Sequence, residues 1–378
     1  MKWRKWCVGL ALAGVLAGCA PAVQAQSVAA EQGYKRARTM ASNQRWDDAI
    51  ATINEVLKKA PNYPDALYLA GVCHLSKGDY QAAEKRLKRL TELNKEFING
   101  WGMLANCYLA TKQYDKIRNI VSSLGKVKGG KAEAYYFSGI VAYMNGNLDQ
   151  AERDWRNAVR AVPDMAKAHY NIGGVMYAKG DKARAMQGLK DALRFDPENP
   201  LYRYSVADLQ LETGNKIEGM KNLDRVRQQT LRKDVAKLAS ARQMWANNHA
   251  EQTEKLAKQA YDENPDFSEA YLLRAKALDK LGRKEEAIKC YRRALEGDPN
   301  YREASQALAR LAPAKKAAPQ QAAPKVVAPA DDDSYGPFIE EPATSVDSSD
   351  DTPSYMNLPG SQDAGGQAPA SSVPDMQL

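Results

Sequence analysis

The sequence predicts an all-α solenoid of eight helix–turn–helix units, followed by a capping helix and an acidic tail. Three observations carry this expectation. The apolar content is 44%, mostly Ala and Leu, with only 8% aromatic residues, which favours helices over sheets. The window 166–199, AKAHYNIGGVMYAKGDKARAMQGLKDALRFDPEN, reads as a complete helical pair. His169, Ile172, Gly173 and Met176 stand at helical spacing in its first half, Ala185, Leu189 and Ala192 in its second. Gly180 separates the halves, and Asp196-Pro197 closes the second, because proline has no N–H to continue a helix and turns the preceding residue away from α geometry. The same pattern returns every 34 residues in both directions. In such an array each unit packs on its neighbours, so the whole length can form one body.

At the N-terminus, residues 1–18 read as a signal peptide of lipoprotein type. Lys2, Arg4 and Lys5 precede an apolar run from Cys7 to Gly18 that is too short to span a bilayer. Leu16-Ala17-Gly18-Cys19 resembles the bacterial lipobox, which implies lipid on Cys19 as the mature N-terminus. Val23-Gln24-Ala25 offers ordinary cleavage after Ala25 instead, and the two alternatives differ in whether the exported chain is tethered or diffuses in the periplasm. By resemblance to Gram-negative lipoproteins, Ala20 after the cysteine implies the outer membrane, facing the periplasm. Residues 19–29 are expected as a short linker.

The units start at residues 30, 64, 98, 132, 166, 200, 234 and 268 and cover 30–301 without insertion. Their eighth place is always small: Ala37, Gly71, Ala105, Gly139, Gly173, Ala207, Ala241 and Ala275. A larger side chain there would hold the paired helices apart. The twentieth place is Ala49, Ala83, Ala151, Ala185 and Ala287 in five units, with Ile117, Gly219 and Thr253 deviating. The fifteenth, where the first helix must end, holds Gly78, Gly146, Gly180, Gly214 and Gly282, with Asn248 in the seventh unit. Proline stands at the thirty-second place as Pro61, Pro163, Pro197, Pro265 and Pro299.

A 34-residue helical pair with small residues at places 8 and 20 and proline at 32 resembles the tetratricopeptide repeat, TPR. The resemblance implies a right-handed superhelical solenoid with the first helix of each unit lining a concave surface. The third unit, without proline and ending in Gly129-Gly130, and the seventh, with Asn247-Asn248-His249 at its turn, match least well and are expected to be the most flexible.

After the array, residues 302–312 form an amphipathic segment expected to cap the last unit. Residues 313–330 are a Pro/Ala-rich linker. The tail, 331–378, carries ten Asp and Glu, has no Lys or Arg, and is too polar to bury a core, so disorder is expected. Residues 7–312 carry a net charge of +12, so a basic body is joined to an acidic tail.

No constellation of catalytic groups, no metal-ligand spacing and no nucleotide loop emerges, and neither enzymatic activity nor a cofactor is expected. His74 and His169 fall on inward places and His249 stands alone. Cys73 and Cys107 occupy equivalent places in adjacent units with a helix between them. Helix axes pack about 8–10 Å apart, whereas a disulfide requires Cα atoms within about 7 Å. These two and Cys290 therefore read as free, packed thiols.

Binding is better supported. If places 4, 7, 8 and 11 of each first helix face its partner, places 2, 5, 9 and 12 lie on the opposite side. Place 5 holds Tyr34, Tyr68, Tyr136, Tyr170 and Tyr204. Place 12 adds Tyr143, Tyr177 and Trp245, and place 9 adds Arg38, Asn106, Arg242 and Lys276. Tyrosine offers broad amphipathic contact, which suits an extended peptide, and the groove is expected to centre on units four to six. The family's carboxylate clamp transfers poorly: Asn106 and Lys35 match, but the remaining set is absent. In the tail, Tyr335 and Phe338 form one short motif and Tyr355 and Leu358 another, each a candidate to dock on a partner or on the basic body.

The expected function is a non-catalytic protein–protein adaptor of the bacterial cell envelope. It would bind extended segments of other envelope proteins, in pilus or secretion-system assembly or in envelope building. The alternative is a soluble periplasmic protein whose groove carries an activity, or whose basic body meets the cell wall or anionic lipid. Export argues against a nucleic-acid partner.

Overall fold

The computed structural model describes the backbone of residues 13–312 and the side chains from residue 28 onward, and regular structure among the described residues is entirely helical. The tail motifs and the side chain of Cys19 lie outside the described residues. The helices follow one another as pairs: α1 (Ala13–Ser42) with α2 (Trp46–Lys59), α3 (Pro64–Ser76) with α4 (Tyr80–Leu93), and α5 (Ile98–Ala110) with α6 (Tyr114–Leu124). Next come α7 (Lys131–Met144) with α8 (Leu148–Ala161), α9 (Ala166–Lys179) with α10 (Lys182–Phe195), and α11 (Pro200–Glu212) with α12 (Lys216–Gln229). The last pairs are α13 (Lys233–Ala246) with α14 (Ala250–Glu263) and α15 (Ser268–Lys280) with α16 (Lys284–Gly297), followed by α17 (Arg302–Leu311).

One boundary differs from expectation. Residues 19–29, expected as a linker, continue α1, which starts at Ala13. Ala20, Ala22, Ala25 and Ala29 fall in this stretch, and alanine has the highest helix propensity.

Each pair is closed by its small places. All eight residues at place 8 are buried, as are all eight at place 20, including the larger Ile117 and Thr253. At the glycines the approach is too close for any side chain. A Cβ added at Gly71 would lie 2.5 Å from Leu87, and one at Gly139 2.5 Å from the Trp155 indole nitrogen. At the fifteenth place the five glycines adopt φ between 75° and 89°. Asn248, Gln44 and Lys112 adopt the same left-handed geometry, at φ 70°, 57° and 56°. These turns are closed by bonds back to the preceding helix, as where the N–H groups of Arg45, Gln113 and His249 donate to the Met40, Tyr108 and Met244 carbonyls.

The second helices start on a repeated cap. Asp79, Asn147, Asp181 and Asn215 each accept from the backbone N–H three residues on. At the far end, Ala304 and Ala307 of α17 are buried against Ala287, Cys290 and Tyr291.

The array curls enough for its end to meet its middle. Asn300 Nδ2 donates to the Tyr143 carbonyl at 2.8 Å, the Tyr143 hydroxyl donates to Asp298 Oδ2 at 3.0 Å, and Lys112 Nζ donates to the Glu296 carbonyl at 3.1 Å. The turn between α16 and α17 thereby rests against α7 and the end of α5, on the face lined by the first helices.

Candidate functional site

The tyrosines at places 5 and 12 follow from helical periodicity. α7, α9 and α11 lie side by side, so equal places in successive units stack into rows. Five of the expected groove residues, Tyr136, Tyr143, Tyr170, Tyr177 and Tyr204, line one cavity of about 460 Å³. Tyr301 from the α16–α17 turn joins them, and Gly174 lies in the lining, where an added Cβ would meet nothing within 4 Å.

Four of these five hydroxyls are held within the chain. Tyr136 bonds to Asn171, Tyr170 lies 3.2 Å from Ser205 Oγ, Tyr177 donates to Glu212 at 2.8 Å, and Tyr143 donates to Asp298. Tyr170 also stacks on Tyr202, with ring centroids 4.9 Å apart. Burial raises the Tyr136, Tyr170 and Tyr204 phenols far above their ordinary range, so they stay neutral. The rings are thus fixed in place.

Three carboxylates share the lining: Asp208, Glu269 and Asp298. Asp208 is paired with the buried Arg242. Glu269 is pushed up to about 7, chiefly by burial, although its own backbone N–H partly offsets this. Burial likewise raises Asp298, against the opposing bonds from the Asn300 N–H and the Tyr143 hydroxyl.

The other expected groove residues are dispersed. Tyr34 packs near Tyr63 and Tyr68 near Phe97, each with centroids 5.5 Å apart, in units one and two. Arg38 is exposed, and Asn106 is half-buried with its Nδ2 3.8 Å from Met103 Sδ. The cations of the seventh and eighth units are engaged within the chain. Arg242 is held by Asp208, and Lys276 lies 2.5 Å from Glu303. The Lys280 ammonium sits 5.4 Å from the Trp245 ring. None of these lines the tyrosine cavity except through Asp208.

Trp155, Asp208, Glu269, Asp298, Asn300 and Tyr301 were not singled out by the sequence. Asp208 at place 9 and Glu269 at place 2 obey the open-face rule, and searching those places for acids as well as bases would have found them. Asp298, Asn300 and Tyr301 arrive by the curl of the whole array, for which no local signal exists.

The groups set aside as structural are packed. His169 Nε2 lies 2.8 Å from the Pro163 carbonyl with its ring against Phe195, and His74 Nδ1 lies 3.2 Å from Asp79. Cys73, Cys107 and Cys290 are free and buried, and burial pushes the first two thiols up to about 12 and about 11. Among the described residues no group of His, Cys, Asp and Glu could hold a metal ion, and no helix is long and apolar enough to cross a membrane.

Comparison with known proteins agrees with this architecture. Family models described as tetratricopeptide repeat match residues 40–101, 74–138 and 244–322, and a second such model matches 136–200. Over 103 residues the chain is 31% identical to Protein bimA of Emericella nidulans, a stretch that is 27% of this chain and 13% of that relative. Among solved structures, the APC/C hetero-tetramer Cut9–Hcn1 aligns with a TM-score of 0.50 at 13% identity, covering 76% of this chain and 70% of that one. A thermophilic TPR protein from Thermus thermophilus aligns over 57% of this chain and 100% of its own, at 22% identity and a TM-score of 0.37.

Proposed function

The chain belongs to the tetratricopeptide repeat family, and we propose that it is an envelope adaptor that binds extended segments of partner proteins in its concave groove. The fold is that of a protein–protein interaction scaffold, and members of the family are generally non-catalytic. The observation that carries the reading is the set of five in-register tyrosines that converge on one cavity on the face opposite the paired helices. Four of the five hydroxyls are held by hydrogen bonds, so those rings present a pre-ordered surface that loses little entropy on binding.

A photocrosslinker placed at Tyr177, which is 37% exposed, tests this in the envelope. Partner proteins should be trapped there, and Tyr170→Ala with Tyr177→Ala should lower their recovery while leaving the helical melting transition in place. Unchanged recovery by a folded variant would end the reading.

Export and anchoring are part of the same proposal, supported by the basic and apolar N-terminus and by the Leu16–Cys19 motif. Cys19→Ala should move the chain from the outer-membrane fraction to the soluble periplasm; the same distribution in both would argue against lipid at this site. The acidic tail is proposed to contact the basic body outside the cavity, since the cavity itself carries carboxylates. Removing 331–378 should then change partner affinity at low salt and not at high salt.

A further inference from the structure

We infer that the tyrosine cavity is a receptor for a positively charged side chain, the ammonium of a Lys or the guanidinium of an Arg in the bound partner segment. This rests on the scaffold reading and specifies what its central pocket selects. Six tyrosine rings, Tyr136, Tyr143, Tyr170, Tyr177, Tyr204 and Tyr301, line a single cavity. Aromatic faces carry a negative quadrupole and attract cations, more strongly where water is excluded. The Lys167 ammonium, bonded to Glu133 at 2.6 and 2.9 Å outside the cavity lining, sits 4.4 Å from the Tyr136 ring.

The charge of the cavity points the same way. Asp208 is neutralised by Arg242, but neither Glu269 nor Asp298 has a cation within salt-bridge distance among the described residues. Arg232 is within electrostatic range of Glu269, yet it is committed to Asp234 through bonds of 3.2 and 2.6 Å. Around Glu269 the facing charged groups are therefore Asp298, Asp208 and the committed Arg232. The body as a whole is basic, so a cavity carrying two unmatched carboxylates runs against the charge of its surroundings.

Space completes the argument. A volume of about 460 Å³ holds a long cationic side chain together with backbone on either side of it. Over Gly174 the space is open. The raised proton affinity of Glu269 follows from its burial without a countercharge, and an entering cation supplies that countercharge.

The test is calorimetric titration of the full chain with acetylated, amidated pentapeptides Gly-Ser-Xaa-Ser-Gly in which Xaa is Lys, Arg, norleucine or Glu. The Lys or Arg peptide should bind at least about tenfold more tightly than the norleucine peptide, and the Glu peptide should bind least. Affinity should tighten as pH rises through the Glu269 value of about 7. Glu269→Gln should abolish both that pH response and most of the preference for charge. Gly174→Leu fills the cavity from a position where an added Cβ meets nothing within 4 Å, so it should remove binding while the melting transition is kept.

Equal affinity for Lys and norleucine, no binding of the Lys peptide at millimolar concentration, or an unaltered preference in Glu269→Gln would each overturn the proposal. Free n-butylammonium binding as tightly as the Lys peptide would overturn its assignment to a partner side chain. The two readings fail separately. Partners trapped at Tyr177 without any charge preference sink the cation receptor alone, and a charge-selective cavity that traps no protein sinks the scaffold.

Discussion

At the scale of single residues, the structure turns a pattern of small side chains into a mechanical requirement. Gly139 is small because Trp155 lies against it, and the Trp155 indole N–H also donates to the Tyr136 carbonyl at 3.0 Å. Gly139→Ala would place a methyl group 2.5 Å from that nitrogen, so the indole or the helices must shift, which strains its bond to Tyr136. Overpacking of this kind costs about 1–3 kcal/mol. Urea denaturation should show the midpoint fall with an unchanged slope; a variant as stable as the parent would mean that the helices part without cost. The small places were legible in the sequence because the same contact recurs at the same spacing in every unit. The left-handed turns at Gln44 and Lys112 were not, since neither residue favours that geometry.

At the scale of helices, α17 acts as the end of the apolar core. Its Ala304 and Ala307 cover Ala287, Cys290 and Tyr291, and Cys290 is 6% exposed beneath it. Ending the chain after Tyr301 should uncover that thiol. Alkylation of Cys290 in the folded protein should accelerate by at least about tenfold, because local opening no longer limits access, while Cys73, deep in unit two, should stay protected. Equal protection of Cys290 with and without α17 would show that α15 and α16 close on themselves. The helical pairs and their final cap could be read from periodicity alone, because amphipathic spacing and terminal Gly or Pro are local features. The N-terminal extent of α1 could not, as a linker and an alanine-rich helix share the same composition.

At the scale of the whole molecule, the decisive feature is a curvature that no single unit displays. Each pair is rotated slightly on the last, and the sum brings Asp298, Asn300 and Tyr301 against Tyr143, more than four units earlier. The row of tyrosines was therefore visible in the sequence, whereas the wall that turns the row into a cavity was not. This closure also has a pH signature. Glu269 has a folded value of about 7 against an ordinary 4.5, raised chiefly by burial, and burial raises Asp298 as well. A carboxyl raised on folding binds its proton more tightly in the native state, so its contribution to stability is fully present below the ordinary value and is lost as pH rises through the folded one. For Glu269 the window runs from about 4.5 to about 7. Glu269 should contribute a fall in the thermal midpoint of the free chain across that window, opposed by His74, whose value burial lowers from 6.5, and Glu269→Gln, which stays neutral, should remove that contribution. The same pH dependence of the midpoint in the parent chain and in Glu269→Gln would mean that Glu269 is paired in solution and that the end of the array does not bury it. Binding of a cationic segment should act in the opposite sense, since the countercharge favours the ionised carboxylate: the bound protein should keep its midpoint at neutral pH where the free protein has lost it.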